Sequence, residues 1–193
     1  MKKVAVFASG SGTNFQAILD ANQDGSLGYE VVLLVSDKPE AKAIDRAEEE
    51  GIPTFVFQPK KFENKAAFER EILVWLNEYK VDLIVLAGYM RLVGETLLRA
   101  FEKRIINIHP SLLPAFPGKD AIGQALEKKV RVSGVTIHYV DEGMDTGPII
   151  AQESVRLAED ETYETLQQKI QQVEHTLYPQ TLAKILSDDK VIN

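Results

Sequence analysis

Runs in which every residue is apolar, Val31-Val32-Leu33-Leu34-Val35 and Leu83-Ile84-Val85-Leu86-Ala87, constrain this chain more than any other feature. A strand with one wet face alternates apolar and polar residues. An unbroken run needs cover on both faces, which is the condition of a parallel sheet flanked by helices. Short β-rich runs recur at residues 4–8, 30–36, 54–57, 82–87 and 105–109, with helical patterns between most of them. The clearest helix is expected at 66–79, where Phe68, Ile72, Trp75, Leu76 and Tyr79 return at helical spacing. Further on, residues 134–140 and 148–155 read as two strands joined by a polar loop, 141–147. A long helix closes the chain over 162–186, expected to bend or break near Pro179. The fold class is α/β, an open, mostly parallel twisted sheet with helices on both faces.

With 193 residues, 45% hydrophobic and 26% charged, the chain is expected to form one domain over 1–193. No repeat or Pro/Gly/Ser-rich linker divides it. The apolar runs fall far short of the ~20 residues a bilayer span needs. Ser9-Gly10-Ser11-Gly12 also breaks the first run before a secretory segment could form, so a cytoplasmic protein with no membrane partner is expected. The absence of cysteine removes disulfides, thiolate zinc sites and a cysteine nucleophile. A net charge of -7 argues against an extended basic face for nucleic acid. An anionic ligand must therefore be captured by local geometry.

Such geometry is suggested at Ser9-Gly10-Ser11-Gly12-Thr13-Asn14, which follows the first strand and opens a helix. Small residues let the backbone approach a ligand, and free N–H groups at the positive end of the helix dipole favour phosphate. The plainer reading is a tight strand-to-helix turn. A dinucleotide site is the sharper competitor, and Asp37 lies near where a ribose-binding acid belongs. Its third glycine, however, is replaced by Phe15. No Gly-Lys-Ser or Gly-Lys-Thr follows for a Walker loop.

The strand at 105–109 ends in Asn107-Ile108-His109-Pro110, and alternation puts Asn107 and His109 on one side. An amide can donate to a developing oxyanion, and an imidazole can give or take a proton near neutral pH. That pair suits attack on a carbonyl-like carbon; a hydrogen-bonded strand end is the plainer alternative. His109, His138 and His175 lack close ligand spacing, so no metal is expected. Asp145 could orient a histidine, but residue pattern alone does not separate it from Asp141 and Glu142.

Four segments, Ser9-Gly10-Ser11-Gly12-Thr13-Asn14, Ala87-Gly88-Tyr89-Met90-Arg91, Asn107-Ile108-His109-Pro110-Ser111-Leu112-Leu113-Pro114 and Asp141-Glu142-Gly143-Met144-Asp145-Thr146-Gly147-Pro148, occur in this order. In this the chain resembles the phosphoribosylglycinamide formyltransferase family, folate-dependent enzymes of purine synthesis, over nearly its whole length. Methionyl-tRNA formyltransferases share the catalytic pattern but add a tRNA-binding domain, and formyltetrahydrofolate hydrolases usually add an N-terminal one.

The resemblance implies a Rossmann-like, phosphate-binding half at about 1–100 and a folate-binding and catalytic half at about 101–193. It implies Asn107, His109 and Asp145 as the catalytic trio. Gly12, Thr13 and Asn14 would hold the acceptor's phosphate, and Glu174 its ribose side. Lys65, Met90, Arg91, Leu92 and Val93, with Asn107 and with Asp141, Glu142, Gly143, Met144 and Asp145, would form the folate site. The implied co-substrate is 10-formyltetrahydrofolate, with no metal, and the implied state is a monomer or homodimer acting on small molecules.

Two departures qualify the transfer. Lys65 stands in the loop before the helix at 66–79, where some relatives carry arginine, and can meet a carboxylate only as a point charge. Lys119-Asp120-Ala121-Ile122 replaces a histidine-bearing pattern after Gly118. A nicotinamide-dependent oxidoreductase and a non-catalytic folate-binding module remain the alternatives.

Overall fold

The computed structural model describes residues 1–188; residues 189–193 of the expected C-terminal half lie outside them. In chain order the elements are β1 Lys2–Phe7, α1 Thr13–Asp20, β2 Tyr29–Ser36, α2 Lys42–Glu49, β3 Thr54–Val56, α3 Lys65–Glu78, β4 Leu83–Leu86, α4 Glu95–Ala100, β5 Ile105–His109, α5 Ala121–Glu127, β6 Val132–Tyr139, β7 Ile149–Arg156 and α6 Tyr163–Ser187. The strands form one seven-stranded sheet in the order β3-β2-β1-β4-β5-β6-β7. Pairing is parallel from β3 through β5 and antiparallel from β5 to β7. This is the α/β class expected from the unbroken apolar runs.

Alternation within those runs explains why they are unbroken. Val4 and Val6 of β1, with Leu83 and Val85 of β4, enter a core completed by Phe15 and Ile18 of α1 and by Leu166, Ile170 and Leu182 of α6. Ala5 and Phe7, with Ile84 and Leu86, point the other way into a core completed by Phe68, Ile72 and Leu76 of α3 and Leu97 of α4. Each face is thus sealed by its own helices. At about 25 cal/mol per Å² of apolar surface, burial on both faces supplies the main stabilisation of the sheet.

Two expectations change in detail. Lys65 is the first residue of α3 rather than part of the preceding loop, because the Asn64 side chain caps the helix by accepting from the Ala67 N–H. α6 runs through Pro179 without interruption. Packing holds it there: Tyr178 is fully buried and its hydroxyl donates to the Leu86 carbonyl at 2.7 Å, tying the helix to β4. Phe15, which stands where a dinucleotide fold needs glycine, is fully buried in the core between sheet and helices.

Candidate active site

The carboxyl ends of the parallel strands deliver the polar residues to one edge of the sheet, where ligands bind in open α/β folds. Gly12 ends the first loop at φ +71° in the left-handed region, and a Cβ there would lie 2.8 Å from the Cα of Ala43. Only glycine meets both demands. The loop is pinned from the α2 side as well, since Ala43 N–H donates to the Gly10 carbonyl and Arg46 Nε to the Ser11 carbonyl. α1 begins with no side-chain cap, so its first amides are left without a capping acceptor.

Asn14 Nδ2 donates to Glu174 Oε2 at 3.1 Å, which brings α6 to the start of α1. Glu174 lies one turn before Tyr178 on the face that the tyrosine holds against the sheet. Burial pushes its carboxyl up to about 7, opposed in part by the Asn14 hydrogen bond. Asn14 Oδ1 is buried without a partner.

Asn107 and His109 occupy alternate positions of β5, opposite Ile106 and Ile108. His109 Nε2 lies 2.8 Å from the Phe116 carbonyl, and its Nδ1 lies 3.5 Å from Asp145 Oδ2. A carbonyl only accepts, so Nε2 carries a proton. Protonated at Nδ1 as well, the ring would face the Asp145 carboxylate as an ion pair, whereas a neutral ring presents a lone pair to it. The segment after His109 is fixed in turn: Ser111 donates to the Ala115 carbonyl, and Thr136 donates to the Ser111 carbonyl while accepting from Leu113 N–H.

Asp145 sits at φ +56° and accepts from the Gly118 N–H at 2.8 Å. Burial alone would raise its carboxyl; the His138 ring, the Gly118 N–H and the charge of His109 together outweigh it and hold it below the usual value.

The remaining expected donor-site residues divide. Met90, Leu92 and Met144 are exposed, and the Val93 side chain turns into the core beside α3 and α4. Lys65 Nζ donates to the Leu92 carbonyl at 2.9 Å, and Arg91 Nε pairs with Asp37 at 2.8 Å. Both Asp37 oxygens are already engaged, one by Ser9 and one by Arg91, which weakens its ribose-binding role in the nicotinamide alternative. The 141–147 loop is braced by Asp141, which accepts from Gly143 N–H and the Thr146 hydroxyl. Glu142 is exposed.

Residues 2–182 match the formyl transferase family model. The chain belongs to that family. It is 56% identical to the phosphoribosylglycinamide formyltransferase of Bacillus subtilis, over 96% of this chain and 95% of the relative. Among solved structures, glycinamide ribonucleotide transformylase 1 from Geobacillus kaustophilus superposes with a TM-score of 0.94 at 61% identity, covering 96% of this chain and 99% of that one. Phosphoribosylglycinamide formyltransferase from Bacillus halodurans gives 0.93 at 59%, covering 97% and 96%. A folate-type formyl donor goes with the family.

Within this formyl transferase fold a second imidazole reaches the site that sequence reasoning missed. His138 on β6 pairs in register with Asn107 on β5, and its Nε2 lies 3.4 Å from Asn107 Nδ2 and 3.7 Å from Asp145 Oδ1. Metal-ligand spacing was the wrong criterion for it. The usable signal was antiparallel pairing, which sets a β6 residue directly across from Asn107. Among the described residues no group of His, Asp or Glu is arranged to hold a metal ion, and no helix is long and apolar enough to cross a membrane.

Proposed function

We propose that this chain transfers the formyl group of 10-formyltetrahydrofolate to the amine of 5-phosphoribosylglycinamide, giving formyl-phosphoribosylglycinamide and tetrahydrofolate in de novo purine synthesis. The single observation that carries the reading is the convergence of Asn107, His109 and Asp145 at one end of the sheet, with the uncapped start of α1 and buried Glu174 at the same sheet edge. In this reading the chain works in the cytoplasm on small molecules, as a monomer or homodimer. The phosphate sits on the amides of Gly12, Thr13 and Asn14, and Glu174 meets the ribose hydroxyls. Residues 90–92 and 141–145 form the donor wall, with Lys65 behind it and the Val93 side chain in the core beneath it.

The free amine attacks the formyl carbon directly, so no protein nucleophile is needed. A new N–C bond forms, the carbonyl π electrons move to oxygen, and the intermediate collapses by breaking the bond from the formyl carbon to the folate nitrogen. Asn107 donates to the oxyanion, an interaction class that contributes about 3 kcal/mol. The His109 imidazolium adds positive charge on that oxygen's side. Asp145 orients the imidazolium, which gives a proton to the departing nitrogen and recovers the one lost by the amine, with the Asp145 carboxylate assisting the transfer.

The test is incubation with both substrates, following formylated product and free tetrahydrofolate. Turnover that requires both, and that is lost in Asn107→Ala and His109→Ala, supports the proposal. Folate binding without turnover would leave only a binding module and end it.

A further inference from the structure

Asp37 takes no part in the chemistry above, yet it is a buried carboxylate at the same sheet edge. Its side chain is 2% exposed, just past the end of β2. One oxygen accepts from the Ser9 hydroxyl at 2.5 Å, and the other accepts from Arg91 Nε at 2.8 Å. Ser9 follows β1, the strand between β2 and β4, and its hydroxyl oxygen also accepts from the Met90 N–H at 2.9 Å. Asp37 therefore grips two successive residues beyond β4, one through the Ser9 hydroxyl and one directly.

We propose that Asp37 is a positioning residue for the formyl donor: it fixes the Met90 backbone and aims the Arg91 guanidinium along the donor wall. The inference rests on the reading of residues 90–92 as that wall. Arg91 is 37% exposed and is held through Nε, with its guanidinium carbon 5.9 Å from the centroid of the Phe68 ring. Holding the inner nitrogen leaves the two terminal nitrogens on the outer side of the fork, where they can meet a carboxylate or carbonyl of the donor. An unpaired arginine at this exposure would spread over many rotamers. Asp37 in turn cannot lose its partner cheaply, because a buried carboxylate without one is strongly disfavoured. The pair is thus a fixed mount, and Ser9 joins that mount to the loop that leads to Gly12.

The experiment is steady-state kinetics with both substrates for the whole chain and for Asp37→Asn, Arg91→Ala, the double variant and Ser9→Ala. Asp37→Asn keeps an oxygen for Ser9 and sets an amide N–H₂ against Arg91. It should raise the donor KM about tenfold, the effect of one charge-assisted hydrogen bond. The acceptor KM and kcat should stay within about twofold. Arg91→Ala should give a similar rise, and the double variant no more than Arg91→Ala alone, because the two act through one contact. Ser9→Ala, which frees only the Met90 arm, should raise the donor KM about threefold and serves if Asp37→Asn does not fold. An unchanged donor KM in both Asp37→Asn and Ser9→Ala, or additive effects in the double variant, would overturn the proposal while an Arg91→Ala defect keeps the donor wall standing. A normal donor KM in Arg91→Ala would remove the wall itself, and the proposal with it.

Discussion

Asn14 Nδ2 and Glu174 Oε2 meet at 3.1 Å, joining the first turn of α1 to the middle of α6 across 160 positions of sequence. The carboxyl in this contact stands at about 7, above its ordinary 4.5, because burial penalises the charge. The folded chain therefore holds a proton there that the unfolded chain has released, and this group makes stability fall as pH rises between those values. Across that range the loss is on the order of 3 kcal/mol. Glu174→Gln removes the titration and keeps the shape. In urea unfolding, the variant should gain on wild type as pH rises from about 5 to about 8; a gap that is equal at both ends would contradict it.

Replacing His109 with alanine should lower kcat by about 10² to 10⁴-fold, the range for a lost general acid or base. The ring also donates to the Phe116 carbonyl, so a thermal unfolding curve must accompany the kinetics. Near-normal turnover in a folded variant would remove His109 from the chemistry.

Much of this architecture was legible because period-2 and period-3.6 patterns report burial directly. The run Leu83 to Leu86 could be read as a strand covered on both faces, and it is. The position of Asn107 and His109 on one face followed from the same alternation. What periodicity lacks is which distant segments touch. Asp145 looked no different from Asp141 in its loop, yet only Asp145 turns toward two imidazoles. His138 stayed hidden because its partner across the sheet is fixed by β5–β6 register, which no local pattern encodes. Val93, expected on the ligand wall, has its side chain in the core because the chain is already turning into α4 there.

Asp145→Asn tests the acid of the trio. A carboxyl held below its ordinary value adds stability above that value, 3.8, and the addition is lost as pH falls through the folded one. The variant should be less stable than wild type near neutrality, and the gap should close in acid. Turnover should fall with the same change, since an amide cannot hold an imidazolium by charge. A stability gap independent of pH would show that the carboxylate charge is not what the fold uses.

Asn14→Ala should raise the acceptor KM about tenfold and leave donor affinity within about twofold, since one hydrogen bond near a charged ligand is worth about that much. Isothermal titration with each substrate alone separates the two. Equal weakening of both would place Asn14 in the general fold rather than at the phosphate.

His138 makes the last case, and its tautomer decides it. Nδ1 lies 2.8 Å from the Tyr139 carbonyl, which only accepts, so Nδ1 bears the proton. Nε2 faces both Asn107 Nδ2 at 3.4 Å and Asp145 Oδ1 at 3.7 Å, and in the neutral ring it offers its lone pair to the amide N–H. That contact chooses which end of the amide faces the ring and so which way its remaining N–H points. With His138→Ala the amide is free to turn over, and part of the population presents oxygen to an oxyanion. The expected result is a fall in kcat of about tenfold, with both KM values within about twofold, because the defect arises in the transition state and not in binding. A variant with raised KM and unchanged kcat would mean that His138 shapes a binding surface instead.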